Sequence, residues 1–182
     1  MKNLIFALCC ISLSTNAFAK NAPSAQEITK EIILTVEAYA NSIACSGIKI
    51  NPENVAVLVP YRDTEDQFRV KYAVLWSGDI GCSGGSGSVS TNIAIVRVGM
   101  GTSFVVDPLH SSPVIEFNFF DPRGCPKIVE NSVDTLEIDG FDYNPSGEDP
   151  AYRPSVPVRL TVRVDKKGNW KVIGKKFPET EK

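Results

Sequence analysis

Residues 156–164 alternate without a break: Val156, Val158, Leu160, Val162 and Val164 are separated by Pro157, Arg159, Thr161 and Arg163. A period of two sends apolar side chains to one face of an extended strand and polar ones to the other. Weaker forms of the pattern recur from residue 54 to the end. The segments between these runs are too short to carry a crossover helix, so neighbouring strands have to run antiparallel. The chain is thereby confined to a sheet-dominated fold.

Asn54–Val59 is a short strand entered from Asn51-Pro52 and closed by Pro60. Phe68, Val70, Tyr72, Val74 and Trp76 alternate with Arg69 and Lys71, and these aromatics, with Phe117 and Phe119, are expected in the core. Ser88–Val98 turns apolar on both faces towards its end, which places it centrally. Ser103–Val106, Val114–Phe120, Lys127–Glu130 and Val133–Tyr143 follow. The run 156–164 then turns through Lys166-Lys167-Gly168-Asn169 into Trp170–Gly174 as a hairpin.

One helix precedes the strands. Ser24-Ala25-Gln26-Glu27 has the form of a capping box. Ile28, Ile32, Val36, Tyr39 or Ala40, and Ile43 recur at helical spacing, and Gly47 is a plausible stop. The expected fold is therefore α+β: one N-terminal helix packed on a twisted antiparallel sheet of about six to eight strands, meander-like and curling towards a half-barrel.

Residues 1–19 read as a cleavable secretory signal: Met1-Lys2-Asn3, an apolar run from Leu4 to Leu13, and Ala17-Phe18-Ala19 before a cut at Lys20. Ten helical residues span about 15 Å, half of a ~30 Å hydrocarbon core, so the run is too short for an anchor. Residues 20–182 are expected to form one domain, with no membrane insertion. They carry 18 basic and 21 acidic groups. That balance, without a basic stripe, gives no electrostatic route to nucleic acid or to an anionic membrane.

Removing the signal leaves Cys45, Cys82 and Cys125. Oxidising compartments favour pairing. Cys45–Cys82 is the favoured bridge, closing a 38-residue loop, which contributes about 4 kcal/mol on the chain-entropy model. Cys125 is then a free or intermolecular thiol; spacing leaves the other two pairings open.

The loop Ser77–Ser88 contains Gly81-Cys82-Ser83-Gly84-Gly85, which fits the hydrolase elbow Gly-x-Ser-x-Gly. It is also similar to the Gly-Asp-Ser-Gly-Gly of trypsin-like serine proteases, with cysteine in place of aspartate. That resemblance spans five residues and implies Ser83 as nucleophile with a histidine base. The one histidine, His110, follows the serine, where trypsin-like enzymes place it before, and Val89–Ile95 reads as strand where the elbow needs a helix. Cys82 or Cys125 with His110 would make a thiol dyad only with a thiolate-stabilising partner in reach.

No close Cys-x-x-Cys spacing suggests zinc. Asp139, Asp142, Asn144, Glu148 and Asp149 gather oxygen ligands without the order of a calcium loop, and an acidic connection explains them as well. No metal or cofactor is expected.

These readings lead to a small exported protein, periplasmic or alternatively secreted, that binds without catalysis: an inhibitor, immunity factor or envelope accessory. Its protein partner would be met by the polar loops Ser77–Ser88 and Asn144–Ser155, with Asp79, Ser83, Tyr152 and Arg153 as contact candidates. The alternative is an envelope hydrolase using the Ser83 loop with His110, or carboxylates paired among Asp79, Asp107, Glu116 and Asp121. A third reading is a subunit that joins another chain by strand addition at Asn54–Val59.

Overall fold

The computed structural model describes residues 23–61, 66–85, 88–117, 119–120, 126–144, 146–148 and 154–178. Helix α1 spans Ala25–Ile43. Its capping box forms as the sequence requires: the Glu27 amide donates to Ser24 Oγ at 3.2 Å, and the Ser24 amide donates to Glu27 Oε2 at 2.8 Å. Ala44, not Gly47, is the C-cap. Ile28, Ile32, Val36 and Ala40 form the buried stripe.

Among the described residues eight strands follow: β1 (Lys49–Val59), β2 (Lys71–Gly78), β3 (Ser90–Val98), β4 (Phe104–Val106), β5 (Lys127–Asn131), β6 (Thr135–Asp142), β7 (Val156–Val164) and β8 (Trp170–Lys176). They make two antiparallel four-stranded meanders, β1-β2-β3-β4 and β5-β6-β7-β8. The single sheet expected from the alternation is thus divided in two. The reason lies in β2 and β3, which are apolar on both faces and need cover on both. Val74, Trp76, Ala94 and Val96 pack under the α1 stripe. Ala73, Leu75, Ile93 and Ile95 pack on Leu136, Ile138, Leu160 and Val162 of the second sheet. The layers run helix, sheet, sheet, and full burial of each branched aliphatic stabilises by roughly 1.5–3 kcal/mol.

The two sheets are stitched along one side. Asn54 on β1 donates from Nδ2 to the Pro126 carbonyl at 3.0 Å and accepts from the Ile128 amide at 3.1 Å. Asn131 on β5 donates to the Val57 carbonyl at 2.7 Å. The edge Asn54–Val59 expected to accept another chain is therefore occupied by the protein itself.

Two expected features take another form. Segment 114–120 is no strand in its described residues: it follows a cis Ser112–Pro113 bond through turns and bends, and Ile115, Phe117 and Phe120 fill the space between the sheets. Alternating burial arises there without a ladder. Phe68 is 67% exposed, because Asp66 caps a 3-10 turn over Gln67–Arg69 that takes Phe68 out of the β2 alternation. Tyr72, Trp76 and Phe117 are buried as expected, and Phe119 packs partly buried against Phe117.

Candidate functional site

β2 and β3 stay in register to Gly78↔Ser90. Two residues suffice to close such a hairpin, yet the chain inserts residues 79–89 here. Cys45 and Cys82 are joined as a disulfide, Cα to Cα 5.3 Å, tying this loop to the chain just beyond α1. The backbone reinforces the tie: the Cys45 amide donates to the Asp79 carbonyl at 3.0 Å, and the Asp79 amide to the Ser46 carbonyl at 2.9 Å. Asn92, buried at the base of β3, donates to the Gly78 and Ser90 carbonyls. Gly78 admits the Trp76 ring at a place where a Cβ would meet it at 2.6 Å.

Asp79 is 1% exposed. Its carboxylate accepts from the Ser83 amide at 3.3 Å and the Gly84 amide at 3.0 Å. Burial pushes its pKa up, but the Gly84 amide, the Ser88 hydroxyl and the Ser83 and Cys82 amides outweigh that and hold it below the ordinary value. Asp79, expected to touch a partner, instead organises the loop from inside, and its oxygens are spent on the loop's own backbone. Ser83 remains exposed. Cys82 sits at φ 53°, a left-handed conformation that costs a residue other than glycine of order 1 kcal/mol or more. The disulfide and the aspartate hold it there. Around it Gly84 and Gly85, at φ 71° and 88°, have nothing within 4 Å of an added Cβ. The loop is fixed at its base and open at its tip.

A second polar group lies beyond β4. His110 Nδ1 is 2.8 Å from Asp107 Oδ2. Arg97 Nε lies 2.9 Å from the same oxygen but out of line for a hydrogen bond, so that contact is Coulombic. Lys71 has its pKa lowered by burial and then by Arg97, against the opposing pull of Asp107. The other edge of the imidazole rests against Gly168 in the β7–β8 turn, where a Cβ would lie 3.1 Å from Nε2. The neighbouring hydroxyls are engaged: Ser111 donates to the Asp107 carbonyl and accepts from the Ile95 amide, while Ser112 donates to the Ile115 carbonyl and accepts from the Ile93 amide. These serines extend the β3 ladder with side-chain oxygens. His110 thus belongs to a different constellation from Ser83.

The proposed pairs of carboxylates part company likewise. Asp79 serves its loop, Asp107 faces Arg97 and His110, and Glu116 is exposed. In the acidic segment, Asp139 forms a two-pronged pair with Arg159, and Asp142 is held below its ordinary pKa chiefly by a hydrogen bond from Lys175. Among the described residues no group of three or more His, Cys, Asp or Glu converges as a cation site. Asp121, Cys125, Asp149, Tyr152 and Arg153 lie outside the described residues, as do residues 1–22.

Ser111, Ser112 and Asn92 were not legible as structural polar residues, since their partners are backbone groups distant in sequence. Along α1, Ala25, Thr29, Ile33 and Leu34 with Pro52 line an apolar groove of about 540 Å³. No helix of the described residues is long and apolar enough to cross a membrane. Comparison with family models, with curated proteins and with solved structures yields no match.

Proposed function

We propose that this chain is an exported, non-enzymatic binding protein of inhibitor, immunity or envelope-accessory type, which captures a protein partner with the disulfide-pinned loop 79–89. The observation that carries the reading is the buried carboxylate of Asp79, which accepts from the Ser83 and Gly84 amides. A desolvated carboxylate and a disulfide are both committed to shaping a surface loop that a two-residue turn would replace. Such a loop loses little conformational entropy on docking, which is how pre-organised recognition loops gain affinity. Its tip presents the exposed Ser83 side chain and the uncrowded Gly84 and Gly85 to a partner. The disulfide is consistent with an oxidising compartment, and with cleavage of the leader before Lys20 the protein would act in a periplasm or outside the cell.

The test uses tagged mature protein as bait in envelope extract, with retained proteins identified by mass spectrometry. Wild type is expected to retain one partner that Ser83→Arg loses while unfolding at the same temperature. Recovery of the same partner by both forms would reject loop 79–89 as the contact. The mass of the native N-terminus checks export: a chain starting at Met1 would contradict it.

A further inference from the structure

The long edges of the two sheets are finished differently. That of β1 is sewn to β5 by Asn54 and Asn131, and β4 is three residues long. β8 has β7 on one side, and among the described residues no backbone hydrogen bond crosses its other side. Val172, Ile173 and Phe177 are 42%, 53% and 62% exposed along this open edge. Lys171 precedes them and Lys175 and Lys176 stand between Ile173 and Phe177, all three exposed. Segment 156–178 carries seven basic groups and one acidic one, a charge of +6 in a chain of net −2.

We infer that β8 is a docking edge for an extended acidic segment of a protein partner, which adds to the second sheet as a fifth strand. Main-chain hydrogen bonds supply the affinity of such an addition, and the side chains along the edge choose the occupant. Identical edges are kept apart by lysine, since a second copy would set like charges against each other. An acidic strand meets the opposite condition. Lys171 Nζ lies 3.1 Å from Asp165 and Lys175 Nζ 2.7 Å from Asp142, but these side chains are 68% and 42% exposed, so the pairs exchange readily with a ligand's carboxylates. The surface is separate from loop 79–89 and does not depend on it.

The probes are three fluorescent peptides of about eight residues, a strand's length: alternating Glu and Val, alternating Lys and Val, and the Glu–Val peptide with two central prolines. Binding to the mature protein is read by anisotropy at about 50 mM salt, where charges within roughly 14 Å still interact. The Glu–Val peptide is expected to bind and to slow amide exchange within 171–176. The other two peptides should bind at least about tenfold more weakly, which is ~1.4 kcal/mol. Lys176→Glu should weaken the Glu–Val peptide several-fold, and Lys171→Glu/Lys175→Glu/Lys176→Glu should switch preference to the Lys–Val peptide. Ser83→Arg should leave all of this unchanged, which separates failure here from failure of the loop. The inference is overturned by no binding to folded wild type, by equal binding of the proline peptide, by protection outside β8, or by self-association through β8 in place of peptide binding.

Discussion

Asp79 sets its carboxyl group where water does not reach, and the amides that replace the water come from its own loop. Its pKa is held below the ordinary 3.8, and Asp165, which accepts from the Asn169 and Lys167 amides in the β7–β8 turn, is lowered to about 2. A carboxyl depressed on folding contributes stability that is complete above its unfolded pKa and disappears as pH falls through its folded one. Unfolding free energy should therefore hold steady down to about pH 5 and drop between about pH 4 and 2. Asp79→Asn should flatten part of that drop, lower the melting temperature at pH 7 and speed exchange of the Gly84 amide. Calorimetry across the pH range decides it: an unchanged profile would show that the carboxylate is not charged in the fold. The disulfide acts on the same few residues. It closes a sequence separation of 37, so Cys45→Ala/Cys82→Ala should cost about 4 kcal/mol or somewhat less in denaturant unfolding.

At the level of elements, the start and buried face of α1 were legible because their signals are local, a capping box and a stripe at 3.6-residue spacing, while its end fell at Ala44 and not at the glycine. The two signals should contribute unequally. Ser24→Ala removes a cap worth about 1 kcal/mol, whereas Ile32→Ala empties a fully buried site and should cost about 2–5 kcal/mol. Leu34→Ala, on the exposed flank at 54%, should fall within about 0.5 kcal/mol. Urea titrations of the three variants check the order, and a Leu34 effect as large as that of Ile32 would mean the helix docks by another face. The strands β7 and β8 were equally plain, since strict alternation and a Gly-Asn turn are also local. Segment 114–120 was misread for the same reason: Ile115 and Phe117 obey the period of two, but their burial comes from spanning the gap between sheets. Periodicity records which side chains are buried, not whether a neighbouring strand is present to pair.

At the scale of the molecule, Asn54 and Asn131 close one side of the sandwich with side-chain amides. Asn54→Ala should leave the Ile128 amide and the Pro126 carbonyl without these partners, at about 1–3 kcal/mol, with the denaturant slope unchanged because the same surface is exposed on unfolding. A changed slope in guanidinium titration would instead mean that the two sheets come apart independently. Removing these bonds should also bare the edge of β1, so light scattering of this variant at raised concentration reports whether the asparagines prevent self-association.

The chain's own order of residues determined the helix, the antiparallel sense and most strand positions, because each follows from spacing along a few turns; it favoured the pairing of Cys45 with Cys82 among three, and the fold settled it. Tertiary structure alone decided that the strands divide into two sheets, that Asp79 faces inward, that His110 answers to Asp107 and Gly168, and that no described residue pairs with the outer edge of β8. Each of these depends on what stands opposite a residue in space. Alternation gives a side chain its face but not its neighbour, and a carboxylate in a glycine-rich loop reads as solvent-facing until the amides that surround it are known.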